Sequence, residues 1–319
     1  MRFAKTILFA ALVLTAGATY AQGNDSKKKD DSDELMNMLN QQDAGKKEKT
    51  YTTATFKTTR IINGASIENV ARGVLDFKIS HRFGAFNTGF NGFFGLDNAN
   101  TSLGFDYGIN DRIMVGISRG TYEKEYEGYT KIKLLRQTEG GSMPISLSYL
   151  GAISIQSLPA PTLPAGQDYH FSNRMYYVNQ LLIAKKISQA LSLQLTPTHI
   201  HYNLVSTTAE PNDLFAVGIG GRLKLTNRIS LNAEYYYRIN KLGNSSITYY
   251  NSLSLGFDIE TGGHVFQLLF TNAPGITERV FIGQTSVSWP DGLRFGFNIS
   301  RVFTIVKPKE FEGSRNKIW

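Results

Sequence analysis

The sequence predicts an all-β fold: a closed antiparallel transmembrane β-barrel of about twelve strands, with short periplasmic turns and long extracellular loops. Three observations carry this. Long stretches alternate apolar and polar residues, the connections between them alternate short and long, and the first residues read as an export signal.

The alternation is clearest in LRFGFNISRVFTI, residues 293–305. Leu293, Phe295, Phe297, Ile299, Phe303 and Ile305 share one parity, with only Arg301 out of step, and Arg294, Gly296, Asn298, Ser300 and Thr304 share the other. A period of two makes a strand with one apolar and one polar face. Eleven further stretches follow the same rule, from VLDFKISHRF near residue 74 to HVFQLLFTN near residue 264. Several exceed the roughly five to six residues of ordinary globular strands and approach the nine to eleven that a tilted membrane strand needs.

The connections at 110–111, 188–189, 226–227 and 261–263 are short, and that at 137–142 is slightly longer. Those at 83–99, 156–171, 204–212, 241–248 and 272–291 are long. Short turns facing the periplasm and long loops facing outward are the outer-membrane pattern, and they leave both ends of the strand series on the periplasmic side. This count requires residues 278–289 to be loop and residues 51–63 not to span.

Ahead of the strands, residues 1–21 have a positive start (Arg2, Lys5), an apolar run from Ile7 to Ala16 and small residues before Ala21, as a secretory signal peptide does. Outside it there is no apolar run of about 18 residues, so helical spans are excluded. The chain has no cysteine, so an exported protein of this kind holds together without disulfides. Its net charge of +8 would suggest nucleic acid for a cytoplasmic protein; for an exported one it points to a lumen lining or to anionic lipid head groups, and no nucleic-acid partner is expected. Residues 22–50 are polar and charged and read as a disordered periplasmic leader. Within it, Leu35, Met36, Met38 and Leu39 offer either a few sticky positions on a linker or a short helix that docks on a periplasmic protein.

Residues 51–71 look ordered yet add a strand of the wrong parity, and they form a candidate plug. Ser66 would cap a short helix running to Ala71, and Phe56, Ile61 and Ile62 would pack on the periplasmic mouth. The barrel follows at 72–305 and a periplasmic tail at 306–319.

Inward parity, strand by strand, selects Asp76, Lys78, Asp106, Lys131, Lys133, Arg222, Lys224, Glu234, Arg238, Asp258, Glu260 and Arg294, seven basic against five acidic residues. They form either an ion-pair lattice that stiffens the wall or a conduit that favours anions. Tyr176, Tyr202, Tyr235, Tyr237 and Tyr249 are placed as the outer aromatic girdle, and the membrane lipid is the expected partner. Phe83, Phe86, Phe90, Phe93 and Phe94 crowd the first long loop, which folds into the mouth or, as the alternative, forms a contact surface. His199 and His201 read as a polar rim pair rather than a metal site, and no cofactor or metal is expected. Ser, His and Asp show no catalytic cluster, and GIGGR (218–222) lies in a strand, where its glycines are small wall residues.

Three stretches, TFKTTRIINGASIENVARGVLDFKISHRFG, FGLDNANTSLGFDYGIND and LRFGFNISRVF, resemble the membrane-bound β-barrel family of unknown function found in Gram-negative bacteria with an elaborate outer membrane. The likeness covers roughly residues 51–305. It implies an outer-membrane barrel and supplies no catalytic residues. The expected role is a narrow channel or transporter component for small solutes, with anions favoured. A non-conducting structural or partner-binding barrel is the alternative, and a membrane-embedded hydrolase the third reading.

Overall fold

The computed structural model describes residues 50–162, 168–205, 210–240 and 248–307. The segment expected as a signal peptide, the expected leader up to residue 49 and the expected tail beyond Lys307 lie outside the described residues. Twelve antiparallel strands close into one barrel, each paired with its chain neighbours and β1 (Val74–Ala85) closing against β12 (Arg294–Thr304). Between them run β2 (Ala99–Gly108), β3 (Ile113–Gly120), β4 (Glu125–Leu135), β5 (Ser146–Gln156), β6 (Met175–Lys186), β7 (Leu191–Tyr202), β8 (Asp213–Lys224), β9 (Ile229–Arg238), β10 (Ser252–Thr261) and β11 (His264–Thr271). Closure leaves no unpaired edge, the condition for a sheet to sit in hydrocarbon.

The alternation decides which side chain meets which medium. Leu103, Phe105, Ile117, Ile219, Phe257 and Leu268 stand exposed on the outside. Their sequence neighbours, such as Ser102, Asp106, Asp258 and Gln267, are buried within. No helix among the described residues is long and apolar enough to cross a membrane. Pro197 keeps its place opposite Val217 in the β7–β8 ladder, while the β6 ladder skips from Thr198 to Leu195 beside it, as expected where a backbone N–H is missing.

The connections depart from the sequence reading at one point. β3 and β4 are joined on the extracellular side by Thr121–Lys124 alone, with Glu123 and Lys124 at positive φ, so one outer connection is short. Residues 278–289 are loop, as the strand count required, and they carry the short helix α1 (Glu278–Gly283).

Residues 51–71 enter the barrel as a bent finger. Tyr51 pairs with Thr138 at the periplasmic rim, under the Arg136 guanidinium 4.0 Å from its ring. The chain reverses at Ile61–Gly64, with Ile61 N–H donating to Gly64 C=O (2.8 Å) and Ser66 N–H to Thr59 C=O (2.9 Å). The helix expected from Ser66 to Ala71 does not form. Instead the Ser66 hydroxyl donates to Thr58 C=O (2.6 Å) and ties the two arms together. Backbone groups that a helix would satisfy internally are taken here by the other arm and by the wall. Ile61 and Ile62 are buried at the tip deep inside the barrel, not at its mouth. The finger leaves through Gly73, whose φ of +73° and closeness to Val306 C=O (2.5 Å from an added Cβ) leave room for glycine alone.

Candidate functional site: a filled lumen

The wall holds the finger through charged and amide groups that strand alternation points inward. At the tip, Glu234 accepts the N–H groups of Ile62 (3.3 Å), Asn63 (2.8 Å) and Gly64 (3.1 Å). Arg82 donates to the Asn63 side-chain oxygen from Nε (3.1 Å) and Nη2 (2.7 Å), and Asn63 donates to Ser254 Oγ (2.9 Å). Gln267 donates to Ile61 C=O (2.7 Å), Asn298 to Ile62 C=O (3.1 Å) and Gln194 to Ala65 C=O (2.8 Å). Along the arms, Asp106 takes the Thr59 hydroxyl (2.6 Å), the Lys78 ammonium (2.5 Å) and the Tyr129 hydroxyl. Lys131 donates to the carbonyls of Ser66 (2.8 Å) and Glu68.

From the other end, the 272–293 loop lowers α1 into the mouth. Arg279 meets Glu125 (2.7 Å) and Glu123 (2.6 Å), and Phe281 packs edge-on to Tyr236 with centroids 4.9 Å apart. Burial opposes the Arg279 charge, but Glu125 and Glu123 outweigh it and hold the guanidinium above its ordinary pKa. Finger and loop meet at Arg60, which reaches Glu127 of the wall and Glu278 of α1, each at 3.2 Å.

All twelve residues selected for the lumen lie on the inward parity of their strands, and Asp76, Asp106, Lys131, Arg222, Glu234 and Asp258 are almost fully buried. Asp106, Lys131 and Glu234 are brought together by the finger; Arg238 instead reaches Gly283 C=O of α1 (3.2 Å). Lys133 approaches Glu68 (4.0 Å), and Arg222 approaches Glu260 (3.6 Å). Arg294 donates to Phe83 C=O at the outer rim (3.4 Å). Sequence reasoning missed Arg82, Glu125, Glu127 and Lys186. Each shares the parity of a chosen neighbour but lies near a strand end, where alternation runs into loop. Arg60, Asn63, Glu278 and Arg279 lie outside the strands, where no periodicity marks them.

The aromatic girdle needs correcting. Tyr235 and Tyr237 are exposed on the outside, but Tyr176 and Tyr202 are buried inside, facing each other edge-on at 5.4 Å, with Arg279 over the Tyr176 ring at 4.4 Å. The Tyr176-Tyr177 pair leaves parity open, and the buried series Val178, Gln180, Leu182 fixes Tyr176 on the inner face. Tyr249 precedes β10 and turns to Arg238, 5.3 Å from its ring, because that buried charge needs a partner.

The phenylalanine-rich loop does not fold into the mouth. Phe90, at 82% exposure, Phe93 and Phe94 face outward, and Phe86 packs beside Phe270 at 6.3 Å on the outer surface. That loop has no cation to offer Glu125; the 272–293 loop, with Arg279, takes the space. His199 and His201 also stand outside, both directed at one oxygen of Asp213 (2.7 and 2.8 Å), with His199 stacked on Phe215. Among the described residues, no group of three or more His, Cys, Asp or Glu is arranged to hold a metal.

Among solved structures, the chain is similar to the NanC porin, at 8% identity and TM-score 0.44, over 73% of this chain and 100% of that one. It is also similar to an outer-membrane channel from Pseudomonas putida F1, at 12% identity and TM-score 0.47, over 74% and 98%. The KdgM porin is similar at 8% identity and TM-score 0.43, over 72% and 99%. No curated protein sequence is detectably similar. Residues 56–303 match a family described as a membrane bound beta barrel domain. The match covers the twelve strands, save the last residue of β12, and most of the finger, and the chain belongs to this family (DUF5777) as a closed β-barrel of the outer membrane.

Proposed function

We propose that the protein is a narrow channel or transporter component for small solutes, closed in the state described here by its own finger. The observation that carries this reading is the manner of closure. The finger is held by hydrogen bonds to Asp106, Lys131, Glu234 and Arg82, groups that water can solvate once the finger withdraws. With Arg82, Lys186, Glu125 and Glu127 added, the inner face of the described strands carries nine basic and seven acidic residues. That small excess supports a lean toward anions. The leader is continuous with the finger, and we propose it as the handle for a periplasmic protein, testable by pull-down with the leader peptide.

Planar-bilayer recordings test the channel reading. The full chain should conduct little or in rare openings, and the chain without residues 51–71 should conduct more. Equal conductance would contradict it. A second reading, a non-conducting structural barrel, is favoured by Arg60, which locks finger and outer loop together at one point. That reading expects the finger deletion to weaken the barrel without opening it.

A further inference from the structure

The geometry points to a binding site for a small amphipathic cation, an alkyl- or arylalkyl-ammonium, in the periplasmic vestibule between the finger and the β10–β12–β1 wall. A cavity of about 530 Å³ opens there. It lies within the range that holds small ligands, roughly 300–1,000 Å³. Its body is apolar: Phe56 and Val70 of the finger face Val74, Val265 and Val302 of the wall. Its charged lining is Lys57, Glu68, Asp76 and Glu260, three carboxylates to one ammonium, while the His264 ring turns onto Phe266 outside.

Asp76 is the group that marks the site. Its residue is 2% exposed, and its carboxylate receives the Ser300 hydroxyl (2.6 Å), a neutral donor. The nearby cations are engaged elsewhere. Lys78 lies on Asp106 at 2.5 Å, and Lys57 lies on Glu260 at 2.7 Å, where Arg222 also approaches at 3.6 Å. Glu68 is turned to the backbone N–H of Thr55 (2.7 Å). A buried carboxylate beside an apolar pocket favours a ligand with an ammonium for the first and a hydrocarbon or aryl body for the second. The vestibule is thus opposite in sign to the basic excess of the wall, and the inference stands whether or not the barrel conducts.

Isothermal titration of the purified full chain with tyramine, and separately with 4-hydroxyphenylpropionate, tests it. Saturable one-to-one binding of tyramine and none of the carboxylate is expected. Asp76→Asn should weaken tyramine binding by about tenfold or more, the scale of one charge-assisted hydrogen bond. Val302→Trp, which fills the cavity and leaves Asp76 in place, should abolish it, and this variant decides the matter if Asp76→Asn does not fold. Absence of tyramine binding, equal binding of the carboxylate, or undiminished binding by both variants would overturn the assignment.

Discussion

Glu234 accepts the backbone N–H of Asn63 at 2.8 Å, and this bond fixes the tip of the finger to β9. The same carboxylate also takes the N–H groups of Ile62 and Gly64, so one wall side chain satisfies three consecutive donors of a turn that has no other means of pairing them. Glu234→Ala removes all three hydrogen bonds, each worth about 0.5–1.5 kcal/mol. Amide exchange at residues 62–64 should accelerate by at least about tenfold, with little change in the strand amides. Unchanged exchange at the tip would remove Glu234 from this role.

Arg60 stands between Glu127 and Glu278, at 3.2 Å from each. Arg60→Met keeps most of the volume but leaves two buried carboxylates without their cation, a change that costs about 3–5 kcal/mol. The detergent-solubilised barrel should unfold at lower temperature, and adding Glu127→Gln with Glu278→Gln should recover much of the loss. A triple variant no more stable than the single one would show that the charges are not the cause.

Gly218 gives its side-chain space to the Tyr236 ring, and a Cβ there would lie 2.4 Å from Tyr236 Cε1. Gly218→Ala should therefore destabilise the barrel by about 1–3 kcal/mol through overpacking. Tyr236→Leu in the same chain should relieve most of it. Thermal unfolding of the two variants side by side makes the comparison.

The tyrosine placements separate by lipid contact. With Trp289 and Trp319 replaced by Phe, a lone Trp at position 235 or 237 should be quenched by brominated lipids, and one at 176 or 202 should not. Equal quenching at all four would return Tyr176 and Tyr202 to the outer surface.

The barrel was legible because its signal is repetitive: a two-residue period sustained over stretches such as 293–305 can be read without a single tertiary contact. GIGGR was readable as wall for the same reason, although nothing local shows that Gly218 makes room for Tyr236. The plug was legible only as a segment. Asn63 finds Glu234 and Arg82 across more than one hundred residues in one case and nineteen in the other, and no spacing encodes such pairs. The tyrosine error has a local cause. In Tyr176-Tyr177 and Tyr235-Tyr236-Tyr237 adjacent identical residues erase the parity signal, and only the flanking buried series restores it.

The placement of the finger inside the lumen is tested most directly by thiol cross-linking, since the chain has no cysteine of its own. Asn63 and Ser254 touch through their side chains at 2.9 Å, and Ser254 and Thr271 are opposed across the β10–β11 ladder. Cysteines at 63 and 254 should join in intact outer membranes under a short bifunctional thiol reagent, as readily as the control pair at 254 and 271. Joining of the control pair without any at 63 and 254 would place the finger outside the barrel.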